Sequence, residues 1–239
     1  MKARIESSYL LHSDEKIYVV ATTGSKNAKT GDMIQLWILD ATMHPSESRK
    51  SGHDALNQCA GCPLASNNGC YVIDNPLIAI AKKHSRNGYK PLAIGTPEFT
   101  RFFKGRAVRF GAYGNPSLIP LPMVEAIAKL ARRWTGYFHD WHIMPEDKAK
   151  AYGRYFMASC ETKSWGKAQA LGLRTFTTCS APEDVIGSGI ECLADAKGLQ
   201  CAECGLCDGT NRRDGKLPSV WIKVHGSRLK KATQATLSN

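Results

Sequence analysis

The stretch AVRFGAYGNPSLIPLPMVEAIAKLARRWTGYFHDW, residues 107–141, decides the fold class of this chain. Residues 107–113 have the composition of a β-strand. Residues 121–134 then repeat apolar side chains at helical spacing, which predicts an amphipathic helix. Residues 135–141 predict a second strand. A strand, a helix and another strand in this order indicate a parallel βα unit.

The alternation of strands and helices continues towards the C-terminus. We predict strands at 154–160, 173–179 and 219–226, with helices at 145–153 and 162–172 between them. The expected fold is therefore α/β, either a partial βα barrel or an open parallel sheet. In such folds, functional residues gather where strands end and the following loops begin.

Upstream of this region the sequence predicts an N-terminal β-hairpin. Residues 17–23 and 33–39 are β-branched, aromatic and apolar, and a turn-rich connector joins them. Residues 43–70 are interpreted as a loop region that holds several cysteines, and a helix is expected at 75–88.

The expected organisation has two segments. Residues 1–105 contain the hairpin and the first cysteine loop, and residues 106–239 contain the βα core, a C-terminal cysteine segment and a basic tail. A chain of 239 residues can fold both segments into one compact unit.

Composition indicates a soluble globular protein, with 43% hydrophobic and 22% charged residues. No apolar run reaches the roughly 20 residues that a membrane span needs, so no membrane association is expected. The N-terminus has no apolar signal core, which predicts a cytoplasmic location. The sequence leaves the oligomeric state open.

The chain has nine cysteines. In a reducing compartment, metal binding explains them better than disulfides do, and an odd number suits pairing poorly. Four of them form a C-terminal group with the spacing C-x8-C-x2-C-x2-C: Cys192, Cys201, Cys204 and Cys207. The C-x2-C-x2-C core is typical of cysteines that bind a four-iron cluster, which is the preferred interpretation. Zinc is the alternative, followed by unliganded thiols.

A first group of three cysteines lies upstream, with the spacing C-x2-C-x7-C: Cys59, Cys62 and Cys70. His53 or His84 could complete a closed, structural zinc site. Alternatively, the three thiolates bind a four-iron cluster and leave one iron open to a small molecule. Cys160 and Cys179 lie at predicted strand ends and are interpreted as small buried hydrophobic residues, with a functional site as the alternative.

Two further motifs carry candidate chemistry. The turn GAYGNP, residues 111–116, could hold a phosphate through backbone N–H groups because a helix begins soon after it, or it is a plain turn. His139, Asp140 and His142 follow a predicted strand and could perform acid–base chemistry or bind a second metal. Strand alternation would put His139 on one face of the sheet and the other two on the opposite face.

The charge distribution suggests nucleic acid as a partner. The formal net charge is +11, and residues 212–231 carry seven basic side chains and one acidic one, a local charge of +6. Such a segment is typical of phosphate binding, although a solvated basic tail has the same composition.

Together the motifs CxxCP, GCYV, VRFGAYGNP, TGYFHDW, FMAS and CGLCDG resemble a widespread family of cysteine-rich phage and prophage proteins of unassigned function. The resemblance covers residues 17–226 and implies a phage origin, hence work in the host cytoplasm.

A more distant likeness is to radical S-adenosylmethionine (SAM) enzymes. It implies a partial βα barrel, a SAM-binding 4Fe-4S cluster on the first cysteine group and a further cluster near the C-terminus. It also implies that Gly111, Tyr113, Gly114 and Asn115 lie near the cofactor. The spacing C-x2-C-x7-C differs from the C-x3-C-x2-C of that family, whose first cysteine loop follows a barrel strand and not a hairpin.

These observations lead to one preferred function and one alternative. We expect an iron–sulfur protein with one or two 4Fe-4S clusters that acts as a radical SAM-like enzyme on nucleic acid or a nucleotide. The alternative is a non-catalytic protein, stabilised by zinc or iron–sulfur, that binds nucleic acid through its basic segment.

Overall fold

The computed structural model of the protein describes residues 7–25, 27–66, 68–210 and 217–224. These residues form ten strands and nine α-helices. The strands are β1 (Ser8–Ser13), β2 (Ile17–Thr22), β3 (Met33–Asp40), β4 (Lys90–Pro91), β5 (Ala107–Tyr113), β6 (Arg133–Phe138), β7 (Met157–Glu161), β8 (Thr175–Cys179), β9 (Ile190–Glu191) and β10 (Val220–Lys223). The α-helices are α1 (Pro45–Ser51), α2 (His53–Leu56), α3 (Asp74–His84), α4 (Pro97–Phe103), α5 (Leu121–Leu130), α6 (Glu146–Gly153), α7 (Trp165–Ala170), α8 (Leu193–Ala196) and α9 (Cys201–Cys204).

The ten strands join one open sheet in the order β4-β1-β2-β3-β5-β6-β7-β8-β10-β9. Strand β2 pairs antiparallel with both β1 and β3. From β3 the pairing is parallel through β5, β6, β7 and β8 to β10. Helices lie in every connection of this parallel run, as crossovers between parallel strands require. The predicted α/β fold with an N-terminal hairpin is confirmed, and the sheet is open.

Strand β3 belongs to both parts of the sheet. It is the second strand of the predicted hairpin, and its other edge pairs in parallel with β5, where Met33 lies opposite Ala107. The first cysteine loop therefore follows a hairpin, as the sequence indicates, and also the first strand of the parallel run. Strand β3 belongs to the expected segment 1–105 and β5 to the segment 106–239, so their pairing joins the two segments in one sheet.

One face of the sheet, the helix face, is covered by α4 to α7 and holds the largest apolar core. Alternation along β3 sends Ile34, Leu36 and Ile38 to this face. Val108 and Phe110 of β5 point the same way. Helix α5 buries Met123, Val124, Ile127 and Ala128 against the strands, and the last three lie at positions that its apolar spacing predicts.

The opposite face, which we call the cysteine face, is covered in two halves. Helices α1 to α3 and the first cysteine loop cover the side chains of β2 and β3 that point away from the helix face, such as Tyr18, Val20 and Leu39. At the other half, Cys192, Leu206 and Cys207 pack with Met157 and Val220. Both cysteine groups therefore lie on the same side of the sheet.

Several predicted boundaries were wrong for local reasons. The expected loop at 43–70 contains α1 and α2 before its first cysteine. Helix α5 ends at Leu130 and not at 134, because the chain pairs with β5 again from Arg133. Strand β6 stops at Phe138, and residues Asp140–His142 form a 3₁₀ turn, so strand alternation does not apply to the HDWH motif.

Helix α4 and strand β1 were not predicted. Thr96 caps α4 by accepting a hydrogen bond from the N–H of Phe99 at 3.1 Å, and Pro97 occupies its first turn. A capping threonine followed by proline is typical of the start of a helix, so the sequence does contain the signal for α4. No helix in the described ranges is long and apolar enough to cross a membrane.

Candidate metal centres and the cavity between them

The first cysteine group (Cys59, Cys62, Cys70) lies at the carboxyl ends of the parallel strands, where α/β folds carry their sites. The loop after β5 holds it there. The backbone N–H of Asn115 donates to the Gln58 carbonyl at 2.6 Å, and its side-chain Nδ2 donates to the Ala60 carbonyl at 3.3 Å. Gly61 packs so closely on the backbone of His139 that an added Cβ would lie 2.8 Å from the His139 carbonyl oxygen.

The three thiols of this group lie close to one another, with Cys59 buried and Cys62 and Cys70 half-buried. Burial raises the pKa of Cys59, and the neighbouring Cys62 and Cys70 raise it further. Burial also raises the pKa of Cys62 to about 12, although the N–H groups of Leu64 and Ala65 act in the opposite direction. Without a bound cation, these thiols stay protonated at neutral pH. A metal centre would stabilise them as thiolates.

The side chains suggested as a fourth ligand are occupied elsewhere. His53 lies 2.9 Å from the carboxylate of Asp40. His84 stacks on the ring of Tyr18 with 3.8 Å between ring centroids. Cys160 is fully buried in the core of the helix face, which supports the interpretation as a small hydrophobic residue, and Cys179 is fully buried beside Trp221.

Two polar groups that sequence analysis did not connect to this site lie beside it. The carboxylate of Glu161, at the end of β7, interacts electrostatically with Cys62 and with His139. Burial raises the pKa of Glu161 and lowers that of His139. Nδ1 of His139 is buried and has no hydrogen-bond partner among the described residues. Cys62 and Glu161 line a common cavity of about 380 Å³ with Trp141, Ser159 and Lys167.

The predicted cofactor-binding turn supports the first cysteine loop from behind. Gly111 and Gly114 adopt left-handed conformations with φ of 70° and 80°. Tyr113 is buried, with its hydroxyl 3.5 Å from the amide of Gln58. The side chain of Asn115 donates a hydrogen bond to the cysteine loop and accepts one from the His139 N–H. These residues thus position the loop that carries the thiols.

The second cysteine group (Cys192, Cys201, Cys204, Cys207) lies on the cysteine face nearer the amino ends of the strands. Cys201 and Cys204 bound the single turn of α9, and Gly205 ends it in a left-handed conformation with φ of 64°. Burial raises the pKa of Cys207, a hydrogen bond with Tyr137 lowers it, and the other three thiols of the group raise it again. The four thiols that spacing grouped are therefore neighbours in space.

Arg174, at the start of β8, anchors this segment. Its guanidinium donates to the carbonyls of Leu206 and Gly209 at 2.6 Å each and to that of Pro218 at 2.8 Å. It also pairs with the buried carboxylate of Asp208 at 3.2 Å. One buried cation thereby joins the cysteine segment to the strand that follows it.

The second cysteine group is also joined to the N-terminal hairpin. The N–H groups of Cys201 and Ala202 donate to the carbonyls of Lys29 and Thr30 at 3.1 and 3.0 Å. The side chain of Gln200 donates to the Ala28 carbonyl at 3.0 Å. We call this contact the 28–202 clasp.

Each group presents donors that suit an iron–sulfur cluster, since three and four thiols lie together on short loops around glycine turns. As the side chains stand, however, no three His, Cys, Asp or Glu in the part of the chain that the structure describes could hold a metal ion. Both groups are therefore candidate ligand sets that must adjust to bind a metal.

A cavity of about 110 Å³ lies on the cysteine face between the two groups. It is lined by Cys192 and Cys201 of the second group and by Leu64 and Tyr71 of the first cysteine loop, with Arg109 of β5 below them. Tyr71 is 53% exposed as a residue, while its hydroxyl end is buried. We call this space the central cavity.

No family model matches the chain, and neither a curated protein nor a solved structure matches it. Most of the basic segment 212–231 lies outside the described residues, among them 212–216 and 225–231; residues 217–224 contribute β10.

Proposed function

We propose that the protein is an iron–sulfur enzyme of radical SAM type that works in the cytoplasm of a phage host and acts on a nucleotide or nucleic acid. The observation that supports it is the placement of three thiols at the carboxyl end of β3, the first strand of a parallel βα run. The order of elements resembles that of radical SAM enzymes, and the second cysteine group lies on the same face of the sheet.

In this proposal Cys59, Cys62 and Cys70 hold one 4Fe-4S cluster, and the second cysteine group holds another. Such a cluster, with one iron free of protein ligands, would bind SAM and would supply the one-electron chemistry for its cleavage. The GAYGNP turn keeps the first loop in place through Asn115. Glu161 and His139, beside Cys62, are the groups able to hold or move a proton there.

Anaerobic purification tests the proposal. The protein is expected to be brown and to contain iron and acid-labile sulfide in equal amounts. After reduction, SAM should change the electron paramagnetic resonance spectrum of one cluster, and 5′-deoxyadenosine should accumulate. Colourless protein with stoichiometric zinc contradicts the proposal, as does iron-loaded protein on which SAM has no effect.

The alternative function is a non-catalytic nucleic-acid-binding protein with structural metal sites. The net charge of +11 and the +6 of residues 212–231 favour it. Binding to DNA or RNA should then weaken steeply with added salt, because phosphate contacts release counterions. Deleting residues 225–239 should reduce the salt dependence, and affinity that is absent at low salt contradicts this function.

A further inference from the structure

We propose that Arg109 binds the phosphate of a nucleoside monophosphate in the central cavity, between the two cysteine groups. The inference deepens the proposed function, since it names the substrate class, and it rests on that function for any reaction that follows binding. Binding itself can be measured independently of the metal.

The position of Arg109 is the first observation. Strand alternation puts Val108 and Phe110 on the helix face and Arg109 on the cysteine face, near the middle of the sheet. Its guanidinium has no hydrogen bond or ion pair with any of residues 7–25, 27–66, 68–210 and 217–224. A guanidinium presents five N–H donors in a planar fork, which suits the oxygens of a phosphate or carboxylate.

The charge of the surrounding walls is the second observation. Lys29 and Lys223 line the central cavity with Arg109, and no Asp or Glu does so among the described residues. Lys29 is itself held by Asp195 at 2.5 Å. A half-buried cation in such a cavity attracts an anion, because the local dielectric is lower than that of water.

The aromatic lining indicates the rest of the ligand. Tyr137 and Phe176 line the central cavity with 4.3 Å between their ring centroids, and Tyr71 is a third aromatic residue in its lining. Flat faces of this kind stack on a nucleobase.

The available space indicates the size of the ligand. A second cavity of about 560 Å³, lined by Trp37, shares Asn27, Tyr71 and Arg109 with the central cavity. This volume lies within the range of about 300–1,000 Å³ usual for small-molecule sites. The space is therefore large enough for a mononucleotide. Because Arg109 lines both cavities, the phosphate would lie where they meet.

Equilibrium binding to the anaerobically purified protein tests the assignment. The probes are AMP, GMP, CMP and UMP, the matching nucleosides and inorganic phosphate. Their binding is measured by calorimetry and by tryptophan fluorescence, since Trp37 lines the larger cavity. At least one monophosphate should bind at least about tenfold more tightly than its nucleoside, because the nucleoside lacks the phosphate that makes a charge-assisted, bidentate contact with Arg109.

Variants then assign the contact to Arg109. Arg109→Gln should remove the tenfold preference for the monophosphate and leave nucleoside affinity unchanged, while Arg109→Lys should keep part of it. Arg101→Gln, which changes an exposed arginine of α4, is the matched control and should have no effect. Melting temperature and iron content, expected to be unchanged in Arg109→Lys, check that folding and cluster loading are intact.

Three results would overturn the proposal: no probe binds, monophosphate and nucleoside bind equally, or Arg109→Gln and Arg109→Lys both retain the full preference. Competition with SAM gives a fourth test. Monophosphate that stays bound in saturating SAM supports a separate substrate site, and displacement assigns the cavity to SAM and overturns the substrate assignment. Nucleotide binding by a protein that fails to cleave SAM would contradict the proposed function alone.

Discussion

Gly114 shows how a single residue shapes the turn that holds the first cysteine group. Its φ of 80° is left-handed, and an added Cβ would lie 2.5 Å from the Ile38 carbonyl oxygen of β3. Gly114→Ala should therefore lower the free energy of unfolding by at least about 2 kcal/mol, since both strain and a backbone clash arise. Urea denaturation at 25 °C measures the change.

Two matched glycines separate the contributions of strain and clash. Gly95 has a similar φ of 84° with no atom within 4 Å of the added Cβ, so Gly95→Ala should cost only the strain, about 1 kcal/mol. Gly166, in α7, has neither feature, and Gly166→Ala should be neutral or stabilising by up to about 1 kcal/mol. Equal losses in Gly114→Ala and Gly95→Ala would contradict the clash with β3.

A second prediction at the scale of residues concerns the open iron. If Cys59, Cys62 and Cys70 are the protein ligands of the first cluster, the single variants His139→Ala and Glu161→Gln should keep the full iron content. Cys62→Ser should lose the iron of that cluster. Iron and sulfide analysis decides the matter, and iron loss in either of the first two variants identifies a fourth protein ligand and a closed site.

Sequence reasoning grouped the thiols and named His139 as an acid–base candidate, but it did not place His139 or Glu161 beside the first cysteine group. Cysteine spacing is a local property, so Cys201, Cys204 and Cys207 can be grouped without a structure. Glu161 lies beside Cys62, and Arg109 lies in the central cavity, only because β7 and β5 bring them to the cysteine face. A single charged residue inside a strand-like run carries no signal of what it faces.

At the scale of elements, Arg174 links β8, the second cysteine group and the approach to β10. Arg174→Met should remove the ion pair with the buried carboxylate of Asp208 and cost about 3–5 kcal/mol. If the second cysteine group binds a cluster, the iron of that cluster should be lost as well, because the cysteine segment loses its anchor. Thermal unfolding and iron content measure both effects.

A double variant shows whether the two effects share one element. Arg174→Met combined with Cys204→Ser should contain no less iron than Cys204→Ser alone, since both changes remove the same cluster. Further iron loss in the double variant would mean that Arg174 also supports the first site. Arg101→Gln, on the exposed side of α4, should keep all of its iron.

Most of the elements of the parallel run were predictable, because strand and helix periodicities differ clearly in their sequences. The residues at which these elements begin and end were less predictable. Helix α5 gives way to β6 at Arg133 because edge pairing with β5 competes with helical spacing that continues to Trp134. That competition depends on a neighbouring strand, which local sequence does not contain.

At the scale of the whole molecule, the metal content distinguishes one cluster from two. Cys204→Ser should remove about half the iron if both cysteine groups bind a 4Fe-4S cluster, and all of it if only the second does. Anaerobic iron and sulfide analysis of this variant, next to Cys62→Ser, gives the distribution. Unchanged iron in Cys204→Ser would rule out the second cysteine group as a ligand set.

The fold class was predictable at this scale, but the arrangement of the sites was not. The order of strands along the chain indicates parallel neighbours, and β3, β5, β6, β7 and β8 follow that order in the sheet, while β4 lies beside β1. That both cysteine groups share one face, with a cavity between them, follows from which side each connection covers. No sequence periodicity reports this choice.

The 28–202 clasp has a consequence for biosynthesis. During translation the carbonyls of Ala28, Lys29 and Thr30 emerge long before their donors at residues 200–202. The first cysteine group, by contrast, is held by a loop at residue 115 and needs much less of the chain. N-terminal segments fold first on the ribosome. We therefore expect the first cysteine group to assemble on the nascent chain before the second cysteine group does.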